Sequence, residues 1–182
     1  MTPSDAIHLW MQTAGERAGA MPSLWERTAR KFSTAPLRQD ITTDVCVIGA
    51  GIAGVTTAYL AARENRHVVL VDDGPVGGGM TSRTTAHLVN AIDDRYLDVE
   101  QFLGEECARL TAESHTAAID CAERIAREHN IGCDFERLDG YLFLPPGGSI
   151  KALMEELEAI HRAGLRAVAR VDLAPSWRLI PK

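Results

Sequence analysis

Apolar residues near the start of this chain fall into two short runs with a helical stretch between them. Residues 44–48 read Asp-Val-Cys-Val-Ile, and residues 67–71 read His-Val-Val-Leu-Val. Runs this short, rich in β-branched side chains and closed by Gly49 and Asp72, predict two buried parallel strands. Between them Ile52, Val55, Ala58, Tyr59 and Ala62 recur at helical spacing, which predicts a helix over 52–64. Strand, helix and strand make one βαβ unit of about 30 residues.

Further along, Leu97, Phe102, Leu103, Leu110, Ala117, Ala118, Ala122 and Ile125 keep an approximate helical stripe. They predict one long helix or two abutting helices over 95–130, with Gly104 as the place for a break. Residues 133–137 and 141–144 alternate around Asp139-Gly140, the pattern of a hairpin that Pro145-Pro146-Gly147-Gly148 stops. Ser149 caps a helix running through His161, with Ile150, Leu153, Met154, Leu157 and Ile160 inward and Gly164 at its end. Residues 165–173 suit one more strand. At the other end, residues 4–18 suit a short helix capped by Ser4. Residues 20–40 suit an arm packing on the main domain through Leu24, Trp25 and Phe32; a disordered tail is the alternative. The chain thus divides into an arm (1–40), a βαβ region (41–95) and a segment of helices, hairpin and incipient further domain (96–182).

Composition narrows the partners. The 182 residues are 46% hydrophobic and 24% charged with a net charge of −6, which suits a packed globular chain. That balance argues against nucleic acid or an anionic membrane as the main partner. No run approaches the roughly 18 apolar residues of a membrane span. Asp5, His8, Gln12, Glu16 and Arg17 interrupt the N-terminus, so no secretory signal forms there and a cytoplasmic location is expected. Cys46, Cys107, Cys121 and Cys133 lack C-x-x-C or zinc spacing, so reduced, mostly structural thiols and no metal are expected.

The chemistry concentrates in Gly49-Ala50-Gly51-Ile52-Ala53-Gly54. A lone G-x-G-x-x-G is a weak signal. Here it leaves an apolar strand and opens a helix, and Asp72 closes the next strand 18 residues after Gly54. Gly49 permits the tight turn, Gly51 lets a pyrophosphate approach the backbone, and Gly54 allows close helix–strand packing. The N–H groups and dipole at the start of the helix, at Ile52 and Ala53, favour phosphate. Asp72, followed by Asp73, can accept hydrogen bonds from ribose hydroxyls and would repel the 2′-phosphate of NADP. A glycine-rich turn without a ligand is the alternative.

A second loop follows. Gly77, Gly78 and Gly79 precede Thr81, Ser82, Arg83, Thr84 and Thr85, and this flexible backbone with hydroxyls and a guanidinium suits a further phosphate-facing segment. It tips the choice of dinucleotide from NAD to FAD; an ordinary surface loop is the alternative.

Residues 44–87 resemble the amino-terminal FAD-binding region of the D-amino-acid-oxidase-like (DAO) flavoproteins, FAD-dependent amine and amino-acid oxidoreductases. Gly-Gly-Gly-Met-Thr-Ser-Arg-Thr-Thr-Ala-His-Leu at 77–88, Ser23-Leu24-Trp25, and Arg-Leu-Asp-Gly-Tyr-Leu-Phe-Leu-Pro at 137–145 resemble a bacterial subgroup fused to a carboxy-terminal Rieske iron–sulfur domain. The similarity covers most of residues 23–173. It implies an α/β fold: a Rossmann-like FAD/NAD(P)-binding βαβ domain of the glutathione-reductase and DAO type, with the start of an α+β substrate domain. It also implies that Gly49, Gly51, Gly54 and Asp72 bind the ADP half of FAD. Gly79, Thr81, Ser82 and Arg83 would line the loop toward the pyrophosphate and flavin, with Thr84, Thr85 and His87 toward the isoalloxazine. For His87, a histidine satisfied inside a helix is an equal alternative.

The implied substrate is a small amine or amino-acid-like molecule, with a Rieske domain as a possible electron-transfer partner. The chain departs from the pattern by lacking any Cys-x-His pair followed by Cys-x-x-His, and it stops soon after the substrate domain would begin. An amino-terminal fragment or truncated product is therefore expected, with little turnover alone and apolar faces prone to self-association. No catalytic residue is assigned, because no carboxylate pair or nucleophile–base pair stands out. A non-catalytic nucleotide-binding module and an NAD-binding dehydrogenase domain are the competing readings.

Overall fold

A computed structural model describes residues 22–29, 32, 34–144 and 146–172. The expected helix at 4–18, Trp10, Pro145 and the last residues lie outside them. The chain forms two compact units, one ending at Ala86 and one beginning at His87.

In the first unit, β1 (Val45–Ile48) and β2 (Val68–Val71) pair in parallel through α2 (Ile52–Arg63), preceded by α1 (Leu24–Thr28). The register sets Val45 against Val68 and Ile48 against Val71. Gly49 N–H extends the ladder by donating to Val71 O at 2.8 Å. At the other end His67 N–H donates to Asp44 Oδ2 at 2.9 Å. The βαβ unit is thus present with the expected order and direction.

Burial is not as expected. The strands were to be buried; instead Val45 and Val47 are half-buried while Cys46 and Ile48 are exposed, Ile48 at 85%. Parallel sheets are normally covered on both faces. Here α2 lies on one side, and the alternate side chains of β1 remain in solvent. The inward stripe of α2 is also shifted. Ile52 and Val55 are exposed, whereas Gly54, Ala58 and Ala61 are partly buried at i, i+4 and i+7. Gly54 must face the turn at Gly49, and that contact sets the rotation of the helix.

In the second unit α3 (Tyr96–Leu103) and α4 (Glu105–Glu128) break at Gly104, whose φ of 89° interrupts the helix. The third helix, α5 (Ile150–Arg162), is capped by the Ser149 hydroxyl, which accepts from Lys151 N–H. The core is small: Tyr96, Ala108, Ala112, Ala159 and Ala163, flanked by Ile92, Leu97, Val99, Ile160 and Leu165. Alanines at i and i+4 let the helices approach Tyr96 closely. The single apolar stripe expected over 95–130 is not continuous, since Phe102 and Leu103 are exposed and the break at Gly104 resets its phase. On α5 the expected inward Ile150 and Met154 are exposed, and the buried positions are Glu156 and Ala159.

Glu156 explains that rotation. Its carboxylate accepts from Tyr96 N–H at 2.9 Å and Leu97 N–H at 3.0 Å, capping an α3 terminus whose own N-cap, Arg95, offers no side-chain bond. Arg162 adds a two-pronged bond to Glu100, both contacts at 3.0 Å. The charged face of α4 forms i,i+4 pairs, among them Arg124 with Glu128 and Arg127 with Glu123.

Residues 133–144 and 165–172 contain no strand, where a hairpin and a strand were expected. A two-stranded hairpin is marginal unless another layer backs it. Leu138 and Phe143 stay exposed, and Arg137 instead binds Asp120 and Glu123 of α4.

Candidate dinucleotide-binding site

The turn after β1 is built around close approaches that side chains would block. Gly49 has a φ of 99°, a left-handed conformation that favours glycine. A Cβ on Gly54 would stand 1.8 Å from Gly49 O, so α2 and the turn are packed backbone to backbone. A Cβ on Gly51 would lie 3.2 Å from Thr81 Oγ1. Val47 Cγ1 of β1 would lie 3.4 Å from the Gly54 Cβ, so the helix also packs closely on the strand, as the glycine spacing predicts.

The second loop comes back onto the first. Thr81 Oγ1 accepts from Ile52 N–H at 3.0 Å, and Gly77 N–H donates to Ala50 O at 2.8 Å. Ala50, between the two glycines, is 1% exposed. Ile52, Ala53 and Gly54 occupy the first turn of α2, where N–H groups have no acceptor inside the helix. Thr81 takes the first of them. The remaining two and the helix dipole are suited to anionic oxygens.

Asp72 closes the site from β2. One carboxylate oxygen accepts from Ala50 N–H and the other from Gly74 N–H at 2.7 Å. The Ala50 bond, and after it the Gly74 bond, hold its carboxyl below the ordinary value. A carboxylate oxygen has more than one acceptor site, so these bonds leave capacity for a hydroxyl ligand. Asp73 beside it is exposed.

Within the loop, Ser82 is buried and its hydroxyl lies 3.0 Å from Gly79 O and 3.2 Å from Glu26 Oε1. Thr84 O accepts from Trp25 Nε1 at 2.7 Å. Arg83, Thr84 and Thr85 are exposed. His87 opens the second unit outside any helix and is exposed, so it is not the helical histidine of the alternative reading. The structure therefore joins Gly49, Gly51, Ile52, Ala53, Gly54, Asp72, Gly79, Thr81 and Ser82 in one unit and leaves His87 outside it.

Leu24, Trp25 and Phe32, expected to pack, are all exposed; Trp25 reaches the loop only through its Nε1 bond to Thr84 O. Glu26 is the partner that the sequence reading missed. Its signal is the Ser23-x-x-Glu26 capping box, which both reciprocal bonds complete.

A family model described as FAD dependent oxidoreductase matches residues 44–178. The chain belongs to this DAO family. FAD is accordingly its cofactor. Among curated relatives of this DAO-family chain is YhfW of Bacillus subtilis, whose name describes a Rieske 2Fe-2S iron–sulfur protein. It is 32% identical over 154 residues, 85% of this chain and 30% of that one. Gamma-glutamylputrescine oxidoreductase of Escherichia coli is 27% identical over 74% of this chain and 31% of its own length. OrdL of Haemophilus influenzae, named as an oxidoreductase, is 28% identical over 62% and 26% respectively. The chain spans about a third or less of each. No solved structure matches it.

The remainder of this DAO-family chain adds little chemistry. Among the described residues no cluster of His, Cys, Asp or Glu could hold a metal ion, and no helix is long and apolar enough to cross a membrane. The four cysteines are free, and Cys46, Cys107 and Cys133 are exposed where structural burial was expected.

Proposed function

We propose that this chain is the cofactor-binding, amino-terminal part of an amine- or amino-acid-oxidising flavoenzyme. The observation that carries the reading is the meeting of Thr81 Oγ1 with Ile52 N–H beside Gly51, which brings the second loop to the start of α2. These residues fit a dinucleotide pyrophosphate: the glycines keep side chains away, the α2 terminus offers N–H groups, and Thr81 offers a hydroxyl.

In this reading Gly49, Gly51, Ile52, Ala53 and Gly54 hold the pyrophosphate, and Asp72 with Asp73 holds the adenosine ribose. Gly79, Thr81, Ser82 and Arg83 extend the cradle, with Thr84, Thr85 and His87 nearest the isoalloxazine. Bound FAD supplies the electron acceptor for oxidation of a carbon next to nitrogen. The protein's part, for these residues, is to bind and orient. The relative that acts on gamma-glutamylputrescine by name supports an amine-like substrate, and the relative named as a Rieske protein supports a one-electron iron–sulfur partner.

Purified chain should bind FAD and keep flavin absorption through gel filtration. A colourless protein that takes up NAD and not FAD would overturn the proposal. Alone, the chain is expected to show little flavin reduction with amines, because it spans only about a third or less of the oxidoreductases it resembles. Steady amine-dependent reduction of bound flavin would refute that part.

A further inference from the structure

The geometry points to α1 as a clasp that positions the second dinucleotide loop, with Glu26 and Trp25 as positioning residues for FAD. The inference rests on the cofactor reading above and adds the element that sets how tightly the site holds.

The loop from Gly74 to Ala86 is poorly suited to keep one shape by itself. It contains Gly74, Gly77, Gly78 and Gly79, and left-handed backbone at Gly77, Gly79 and Ala86. Its one helical turn, Thr81–Arg83, is a single 3₁₀ turn with no side-chain cap. Thr81 must nevertheless sit on Ile52 N–H, a bond to a partner 29 residues back. Something outside the loop has to supply the order.

Two bonds from α1 supply it, both to residues just after Thr81. Glu26 reaches Ser82, the residue after Thr81, with Oε1 3.2 Å from its hydroxyl. Trp25 Nε1 donates to Thr84 O at 2.7 Å. Ser82 is only 8% exposed, so its hydroxyl has few alternatives to the protein partners it has, Glu26 Oε1 and Gly79 O. Glu26 is itself held. Its Oε2 accepts from Ser23 N–H at 2.8 Å, and Ser23 Oγ in turn accepts from Glu26 N–H at 3.1 Å. The capping box of a five-residue helix therefore does more than end a helix. It fixes the carboxylate that grips Ser82.

When only a fraction of molecules hold a binding-competent loop, the apparent Kd rises by the inverse of that fraction. The clasp raises the fraction without touching the ligand. Glu26→Ala and Trp25→Phe should each weaken FAD binding several-fold, and the double variant about tenfold, while the cofactor-free melting temperature stays close to wild type because α1 is exposed.

The test is FAD titration by flavin fluorescence on the full chain, together with hydrogen exchange of residues 79–86 without FAD. Faster exchange at 81–84 in both variants, with raised Kd, supports the clasp. Glu26→Ala and Ser82→Ala should be non-additive, since each removes the same bond; additive effects would overturn the route through Ser82. Wild-type binding with unchanged Kd and unchanged exchange in the variants would overturn the clasp alone. A wild-type chain that binds no FAD would instead overturn the cofactor site, and this inference with it.

Discussion

Asp72, at the end of β2, accepts a hydrogen bond from the Ala50 N–H in the middle of the glycine turn. The acid that we propose for the ribose thus also holds the glycine turn that we propose for the pyrophosphate. Its charge should matter to stability in a defined pH window. The Ala50 and Gly74 N–H groups hold its folded pKa below the ordinary 3.8. Above 3.8 the carboxylate is charged in both states and its stabilisation is complete; as pH falls through the lower folded value, the stabilisation is lost. Melting curves of wild type and Asp72→Asn should differ at pH 7 and converge on acidification below that window. The carboxylate is exposed, so solvent screening keeps the difference small. A gap that widens on acidification would contradict the assignment.

Gly54 should tolerate no side chain. The Cβ of an alanine would meet Gly49 O at 1.8 Å, and both partners are backbone. Overpacking of this kind costs about 3 kcal/mol, at the upper end of the usual range. Gly51→Ala meets only the Thr81 hydroxyl at 3.2 Å and should cost much less. Urea titrations of the two variants, followed by circular dichroism, would rank them; equal midpoints would rule out the close packing of turn and helix.

Glu156 should be the most sensitive charged residue of the second unit. Truncation to alanine leaves the N–H groups of Tyr96 and Leu97 without their acceptor in a buried setting. The expected loss is about 2 kcal/mol. Burial, and after it the Glu156 charge, raise the Tyr96 pKa. A phenol titration by absorbance should therefore move down in Glu156→Gln, which removes the charge and keeps one acceptor. A Tyr96 transition that does not move would break the link.

Ile48 should drive self-association. It is 85% exposed, and Cys46 two residues earlier on β1 is exposed as well. Apolar sheet faces without a covering layer favour contact between molecules. Light scattering should show concentration-dependent growth for the wild-type chain and less of it for Ile48→Thr, at nearly unchanged melting temperature. A monodisperse wild-type monomer at high concentration would contradict this.

Local patterns carried much of this protein in the sequence. β1, α2 and β2 each use consecutive residues whose apolar spacing repeats, and the fingerprint glycines lie within six positions of one turn. The break at Gly104 and the cap at Ser149 were legible for the same reason, because a helix end is written in the residues that form it. The hairpin at 133–144 was misread because alternation alone says nothing about whether a second layer exists to back it. The inward faces of α2 and α5 were legible in part: Ala58, Tyr59, Leu153, Leu157 and Ile160 are partly buried as expected, but hydrophobicity ranked Ile52 and Ile150 above Gly54 and Glu156.

By itself, then, the sequence determined the βαβ unit, the glycine turn with its closing acid, and FAD as the dinucleotide. These depend on neighbours along the chain and on residue types with few conformational substitutes. Only the tertiary structure decided that Thr81 caps α2, that Glu26 grips Ser82, and that Glu156 caps α3. Those partners lie 29, 56 and 60 residues apart. A single hydrogen bond across such a separation has no period and no spacing rule, so it becomes visible only when the fold has brought donor and acceptor together.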